Sequence, residues 1–402
     1  MIKTCVILCG GYGSRLKDLT KKKPKPMVIV AGKPFLEHLL VQLRDQGITN
    51  VILLIGYKGQ MIKNYFKDGK KWSLNIKYSF NQPNFYTGYR LNSAKELIKN
   101  NFLLMYSDNY CPFNLKKNYK IFLKQKTMVT LLISKKKNGN VNLNEKNHTN
   151  YSIKRNKKNK FVEIGYMIIN RKFLNVLSNK NISLSHYLSE ASYSKKISSI
   201  ETFNKYLSIS DPNRLKETRS FFKKKNIILI DRDGVLNKKN PNFFYVRNLN
   251  ELKFNYKVIN VLKKFPKLKY ICITNQAGIS TKEIKPNNLI KINNYIKNKL
   301  KSKNINILDF YVSEHHYQSN HFDRKPNPGN FLKAANKYKL LLDKTFYIGD
   351  DPRDVLASYN ANTKCVYLGD KKKLSTLKKL EINEIIIEDL NKAIFKMGNS
   401  IY

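Results

Sequence analysis

The sequence predicts an α/β protein made of two three-layer domains. Three observations carry that reading. Short apolar runs alternate with helical patterns from end to end, the rhythm of strands joined by crossover helices. At 402 residues the chain is longer than one ordinary hydrophobic core organises. The rhythm breaks at a polar stretch around residues 217–226 (Glu217, Arg219, Lys223, Lys224, Lys225) and restarts at once with the apolar run Ile227–Ile230. Residues 1–216 and 227–402 are therefore expected to be separate domains joined by a linker, 217–226.

Taken in order, strands are expected at 4–8, 51–55, 75–79, 102–106, 128–133 and 162–169, with a helix over 34–46. The segment 135–159 holds few apolar residues and is expected to run over the surface as a mobile excursion. In the second half strands are expected at 227–230, 270–274, 307–312, 345–348 and 363–367.

A hydrophobic content of 42% supports packed cores rather than disorder. No run approaches the ~20 apolar residues of a membrane-spanning helix, and residues 5–9 are too short for a signal-peptide core. The five cysteines are scattered without a Cys-x-x-Cys pair, which argues against a zinc ribbon or redox motif and for a reducing, cytoplasmic setting. A net charge of +48 would suit a nucleic-acid partner if it were gathered into a patch. Its lysines are spread along the chain without interleaved aromatics, so they read as solvated positions. Neither nucleic acid nor membrane is expected as a partner, whereas phosphorylated small molecules suit a positive field.

The run Ile227–Ile230 delivers Asp231-Arg232-Asp233-Gly234 at its C-terminal end, where ligands bind in an open α/β sheet. Two residues apart on extended chain, both acids face the same way. One can attack phosphorus and the other can move a proton, with a cation such as Mg²⁺ relieving their repulsion. Alone this pattern is common in caps and turns. Three later segments give it partners: Thr274 and Asn275 after a strand, Arg324-Lys325 on a Pro/Gly loop, and Asp350-Asp351 with Asp354 after another strand. A hydroxyl and amide for phosphoryl oxygens, a lysine and an acidic cluster complete a phosphoryl-transfer set.

On those motifs (Asp231–Asn237, Thr274–Ile279, Arg324–Gly329 and Gly349–Asp354 in the numbering of this chain), residues 227–370 resemble the haloacid dehalogenase superfamily, in its histidinol-phosphate/heptose-bisphosphate phosphatase branch. The resemblance implies a nucleophile at Asp231 and an acid/base at Asp233. It implies phosphate held by Thr274, Asn275 and Lys325, and Mg²⁺ held by Asp231, Asp350 and the Asp233 carbonyl. Many members also bind structural zinc through cysteines just before the Arg-Lys-Pro motif. Here Ser313, His315, His321 and Asp323 stand there, so a lost site is the main reading, with Zn²⁺ on His315, His321 and Asp323 left open by ligand chemistry.

At the N-terminus a strand leads into Gly10-Gly11-Tyr12-Gly13-Ser14-Arg15-Leu16, where glycines let backbone amides approach phosphates and Arg15 adds charge. Leu16 stands where a dinucleotide fingerprint needs its third glycine, so that motif fails. Prolines on both sides of Lys25 stiffen a lysine suited to a phosphate.

Together with Gly32–Phe35, Thr87–Leu91, Asp108 and Glu163–Tyr166, these segments make residues 1–216 similar to the sugar-1-phosphate nucleotidyltransferase family. The resemblance implies Gly10, Gly11, Gly13 and Arg15 on the NTP phosphates, Lys25 at the α-phosphate, Mg²⁺ on Asp108, Gln82 as a base reader and Gly88 at the substrate. The family's second metal aspartate is missing or displaced, since Ser208-Ile209-Ser210-Asp211 stands in its place, and Tyr89 replaces a glycine.

The expected architecture is thus a nucleotidyltransferase fold followed by a HAD fold, both Rossmann-like. The expected substrates are NTP, guanine-based by resemblance, and a sugar phosphate of the D-glycero-D-manno-heptose series. Histidinol phosphate as phosphatase substrate and an inactive, regulatory N-terminal domain remain the alternatives.

Overall fold

A computed structural model describes residues 1–144, 148–240, 242, 245–380, 385–386 and 390–400. Two compact units divide the chain, Met1–Ser220 and Phe221–Tyr402.

The first unit is built on a mixed sheet of nine strands. They are β1 (Thr4–Cys9), β2 (Asn50–Ile55), β3 (Asn75–Phe80), β4 (Phe102–Tyr106), β5 (Val129–Lys135), β6 (Gly139–Leu143), β7 (Thr149–Asn156), β8 (Phe161–Ile169) and β9 (Ile197–Glu201). β1 pairs in parallel with β2 and β4, and β2 with β3. β8 reverses direction and lies antiparallel to β4 and β5. Every residue of β1 after Thr4 is buried, as a strand covered on both faces requires.

The segment 135–159 is not a structureless excursion. It forms β6 and β7, an antiparallel pair, with residues 145–147 outside the described residues. Val141 and Tyr151 supply the pair's buried side chains, and too few apolar residues surround them to give a periodic signal. Gly139 is required because a Cβ there would stand 1.6 Å from the Phe161 carbonyl oxygen. β9 also escapes the sequence pattern, because Ser198 and Ser199 interrupt its apolar run. Ser198 is tolerated inside because its hydroxyl meets those of Thr127 and Thr130, each at 2.7 Å.

The proposed linker needs a correction. Residues 217–222 belong to the helix Pro212–Phe222, which Asp211 caps by accepting from the Arg214 amide at 3.0 Å. Leu215, Thr218 and Phe222 are buried at helical spacing, a stripe masked by the charges between them.

The second unit holds an all-parallel sheet: β10 (Ile227–Ile230), β11 (Lys269–Asn275), β12 (Asn306–Ser313), β13 (Phe346–Gly349), β14 (Lys364–Tyr367) and β15 (Ile385–Ile386). Its spatial order is β12-β11-β10-β13-β14-β15. Along β10, Ile228 and Ile230 enter one hydrophobic core and Ile227 and Leu229 the other. Each such side chain contributes about 1.5–3 kcal/mol on burial, which fixes the strand in the middle of the sheet. The segments that follow β10, β11 and β13 therefore emerge at one C-terminal edge. All five cysteines are buried and unbridged. Among the described residues no helix is long and apolar enough to cross a membrane.

Candidate active sites

At the C-terminal edge of the second sheet, Lys325 organises the acids. Its Nζ lies 2.9 Å from Asp231 Oδ1 and 2.7 Å from Asp354 Oδ1, and it donates to Tyr347 Oη at 2.8 Å. Only 4% of the Lys325 side chain is exposed. Burial alone would strip its proton, but Asp231 and Asp354 more than offset that and hold it charged. Asp231 is pushed above the usual carboxylate range by burial and by neighbouring Asp354 and Asp233, against the pull of Lys325. Asn275 holds the lysine's main chain, accepting from Lys325 N and donating to its carbonyl, each at 3.0 Å. Its side chain thus fixes the lysine loop.

Carboxylate oxygens of Asp231, Asp350 and Asp354 lie within 4.8 Å of one another. Asp350 Oδ1 is buried without a hydrogen-bond partner among the described residues, while Oδ2 meets Lys239 Nζ at 2.5 Å. A buried, unpartnered carboxylate oxygen is costly unless a cation meets it, and an all-oxygen set is what Mg²⁺ takes. The residues present fit that ion. Gly234 makes the approach feasible: its φ is +93°, and a Cβ would stand 2.3 Å from an Asp350 oxygen.

The Asp233 carboxylate is not part of this cluster. Its Oδ1 accepts from Arg232 Nε (3.1 Å) and Asn237 Nδ2 (2.8 Å), and its Oδ2 from Arg232 Nη2 (3.0 Å) and Gln276 Nε2 (2.7 Å). Burial would raise its pKa, but the Arg232 charge and these bonds hold it below the ordinary value. Asp354 stands with the converging acids instead, which leaves Asp233 its main-chain carbonyl to offer a cation. Thr274 is buried, and its Oγ1 accepts from Gln276 Nε2 at 3.0 Å. Asp231, Thr274, Arg324, Lys325 and Asp350 line one cavity of about 130 Å³. Arg324 also donates to the His315 carbonyl at 3.2 Å. His315, His321 and Asp323 do converge, with donor atoms within 4.8 Å, although Asp323 is also paired to Lys333 at 2.5 Å. Two imidazoles and a carboxylate are a donor set zinc accepts.

In the first unit, β1 ends at Cys9 just before Gly10, and the neighbouring strand β4 leads into Ser107 and Asp108. Lys25 Nζ lies 2.9 Å from Asp108 Oδ2 across a cavity of about 320 Å³ that Gly10, Gly11 and Gly13 also line. Gly13 has φ +70°, and a Cβ there would stand 3.0 Å from Lys25 Cβ, so glycine lets the lysine press against the loop. Sequence reading missed Arg90. Its guanidinium is buried and donates to five backbone carbonyls, those of Gly10, Ile55, Asn81, Gln82 and Phe85. An arginine amid a helix gives no sign of this, because its partners come from three separate segments of the chain.

Three predicted ligands fall outside the cavity's lining. Gln82 is exposed, and its carbonyl serves Arg90. Gly88 lies buried in the helix Thr87–Ser93, where a Cβ would stand 2.5 Å from the Ile182 carbonyl. Its absent side chain serves helix packing. Arg15 is exposed on the turn Ser14–Leu16, and its charge acts on Asp211.

Ser208 pairs with Asn109, beside Asp108. On the other flank, Asn109 Nδ2 donates to the Ile164 carbonyl at 2.9 Å, next to Glu163. Burial pushes the Glu163 carboxyl up to about 7; the Gly165 amide opposes this and the Asp108 charge adds to it. A carboxyl raised in the folded state stabilises the protein at low pH. That stability is lost as pH rises from the unfolded value, about 4.3, through 7. Without divalent cations, the wild-type Tm should therefore fall between pH 5 and pH 8 by more than that of Glu163→Gln. Each kcal/mol of relief is worth roughly 2–4 °C. Parallel pH profiles in thermal melts would reject this cause.

The nucleotidyl transferase family model matches residues 4–144, and the haloacid dehalogenase-like hydrolase model matches residues 198–368. The D-glycero-alpha-D-manno-heptose 1-phosphate guanylyltransferase of Campylobacter jejuni is 40% identical over 112 residues, covering 28% of this chain and 50% of that protein. The protein of the same name from Aneurinibacillus thermoaerophilus is 34% identical over 130 residues, covering 32% and 56%. The chain thus spans about half the length of these curated relatives. Among solved structures, HddC from Yersinia pseudotuberculosis is similar with a TM-score of 0.49 and 23% identity, over 55% of this chain and 100% of that one.

Proposed function

We infer, from a chain that joins an N-terminal nucleotidyl transferase domain to a C-terminal haloacid dehalogenase-like hydrolase domain, that one polypeptide carries out successive steps on a sugar phosphate. The first removes the 7-phosphate of D-glycero-D-manno-heptose 1,7-bisphosphate. The second transfers a nucleotidyl group, from GTP, to the resulting heptose 1-phosphate and releases pyrophosphate. The observation that carries the phosphatase half is Lys325 bridging Asp231 and Asp354 beside the unpartnered Asp350 oxygen. The names of the two heptose guanylyltransferase relatives support the sugar and the base.

In the phosphatase half, Asp231 Oδ attacks phosphorus and the sugar oxygen leaves, giving an aspartyl-phosphate. Lys325 and the Thr274 hydroxyl hold the phosphoryl oxygens, and Asp233 moves the proton. Mg²⁺ bound by Asp231 and Asp350 would neutralise charge on the transferring group. In the transferase half, the amides of Gly10–Gly13 cradle the triphosphate, Lys25 meets the α-phosphate, and Asp108 supplies a cation ligand. The sugar phosphate then attacks in line. His315, His321 and Asp323 offer a separate donor set that would suit Zn²⁺ if one is bound there.

A product assay tests the whole reading. The protein is given the heptose 1,7-bisphosphate with each of the four common NTPs, followed by ³¹P NMR. Phosphate should appear without any NTP, and pyrophosphate only with GTP. No pyrophosphate from any NTP with heptose 1-phosphate would sink the transferase half.

A further inference from the structure

The residue between the two leading acids has no assigned role. The side chain of Arg232 is fully buried. A buried guanidinium is tolerated only when its donors are met. Nε and Nη2 form a fork on Asp233 at 3.1 and 3.0 Å. Nη2 also donates to Gln276 Oε1 at 2.8 Å, and Nη1 to Asn293 Oδ1 at 3.0 Å. Asn293 stands on the helix Pro286–Lys301, so the far end of the guanidinium is anchored to the outer layer.

The consequence runs through Gln276. With its oxygen taken by Arg232, its NH₂ must face the other way, toward Asp233 Oδ2 (2.7 Å) and Thr274 Oγ1 (3.0 Å). Thr274 then accepts from Gln276, and its own hydrogen is free for a phosphoryl oxygen. One buried cation thereby fixes both the carboxylate orientation of Asp233 and the polarity of the Thr274 hydroxyl.

We propose that Arg232 is a positioning residue for hydrolysis of the phosphoenzyme, holding Asp233 by its fork and Thr274 through Gln276. This rests on reading the second unit as an aspartate-based phosphatase. In that half-reaction a water oxygen bonds to phosphorus and gives its proton to Asp233. The bond from phosphorus to Asp231 breaks, and its electron pair returns to the Asp231 carboxylate. Misplacing Asp233 slows this step and leaves the attack by Asp231 in place.

The test follows full-length wild type, Arg232→Met, Arg232→Lys and Gln276→Met with para-nitrophenyl phosphate and Mg²⁺. Burst kinetics and trapped phosphoenzyme are read alongside beryllofluoride binding at Asp231 by ¹⁹F NMR. Arg232→Met should keep the burst, bind beryllofluoride no more weakly than Gln276→Met does, lose about 100-fold in kcat and accumulate phosphoenzyme. Arg232→Lys, which keeps the charge but not the fork, should recover part of the loss. Gln276→Met should raise KM more than it lowers kcat, and it decides the matter if Arg232→Met fails to fold. Wild-type kcat and phosphoenzyme levels in Arg232→Met overturn the proposal, as does a kcat loss matched by lost beryllofluoride binding. A wild type that neither turns over nor binds beryllofluoride overturns the phosphatase reading itself.

Discussion

Asp231→Asn should abolish phosphate release, by on the order of 10⁴-fold or more, while pyrophosphate release by the other unit from supplied heptose 1-phosphate continues at the wild-type rate. The amide has nearly the same shape but cannot form the acyl phosphate. The substitution should not unfold the site, because Lys325 keeps Asp354 at 2.7 Å and Tyr347 at 2.8 Å. Relief of crowding among Asp231, Asp350 and Asp354 also works in favour of the folded state. The readouts are phosphate release, covalent phosphate on the protein and the thermal midpoint. Residual turnover above about one per cent of wild type would move the nucleophile elsewhere.

The second large effect concerns the Lys25–Asp108 pair. Lys25→Ala should lower pyrophosphate formation by about 10²–10³-fold, the cost of one preorganised charge at a developing anion. Asp108→Asn should act as strongly through the cation it can no longer hold. Without ligand the two side chains neutralise each other at 2.9 Å, each 18% exposed. Binding of an NTP must therefore separate them, drawing Lys25 to the phosphates as a cation meets Asp108. The double variant should accordingly be little worse than either single one. Phosphate release should be untouched in all three. If Lys25→Ala retains full pyrophosphate formation, Lys25 belongs with the solvated lysines.

Much of the second unit's site was legible because each reactive residue directly follows an apolar strand or stands on a Pro/Gly loop. Asp231, Thr274, Lys325 and Asp350 meet in one cavity for that reason. What stayed hidden was the set of residues defined by partners distant in sequence. Arg232 reaches Gln276 and Asn293, 44 and 61 positions away. Nothing in a local pattern marks such a pairing. The same holds for Lys239 on Asp350 and for Arg90.

In the first unit the glycine loop and Lys25 were readable, but motif membership did not say which residues face the cavity. Gly88 serves helix packing and Gln82 lends only its carbonyl. The strands were found wherever apolar residues run together. They were missed where hydroxyls pair inside the sheet, as at Ser198, or where glycine permits close approach, as at Gly139. Residues 217–222 of the helix Pro212–Phe222 were assigned to the linker because charge hid a narrow buried stripe.

The knot that Arg90 ties has a bearing on how fast a ligand arrives. Its five carbonyl partners lie on the segments at Gly10, at Ile55 and from Asn81 to Phe85, and Gly10 and Phe85 line the first unit's cavity. The entropy of ordering those segments is therefore lost when the chain folds and not when a nucleotide docks. Association of an anionic ligand should then be limited by diffusion in a strongly positive field, with a rate that falls as salt is added and little waiting for a loop to close.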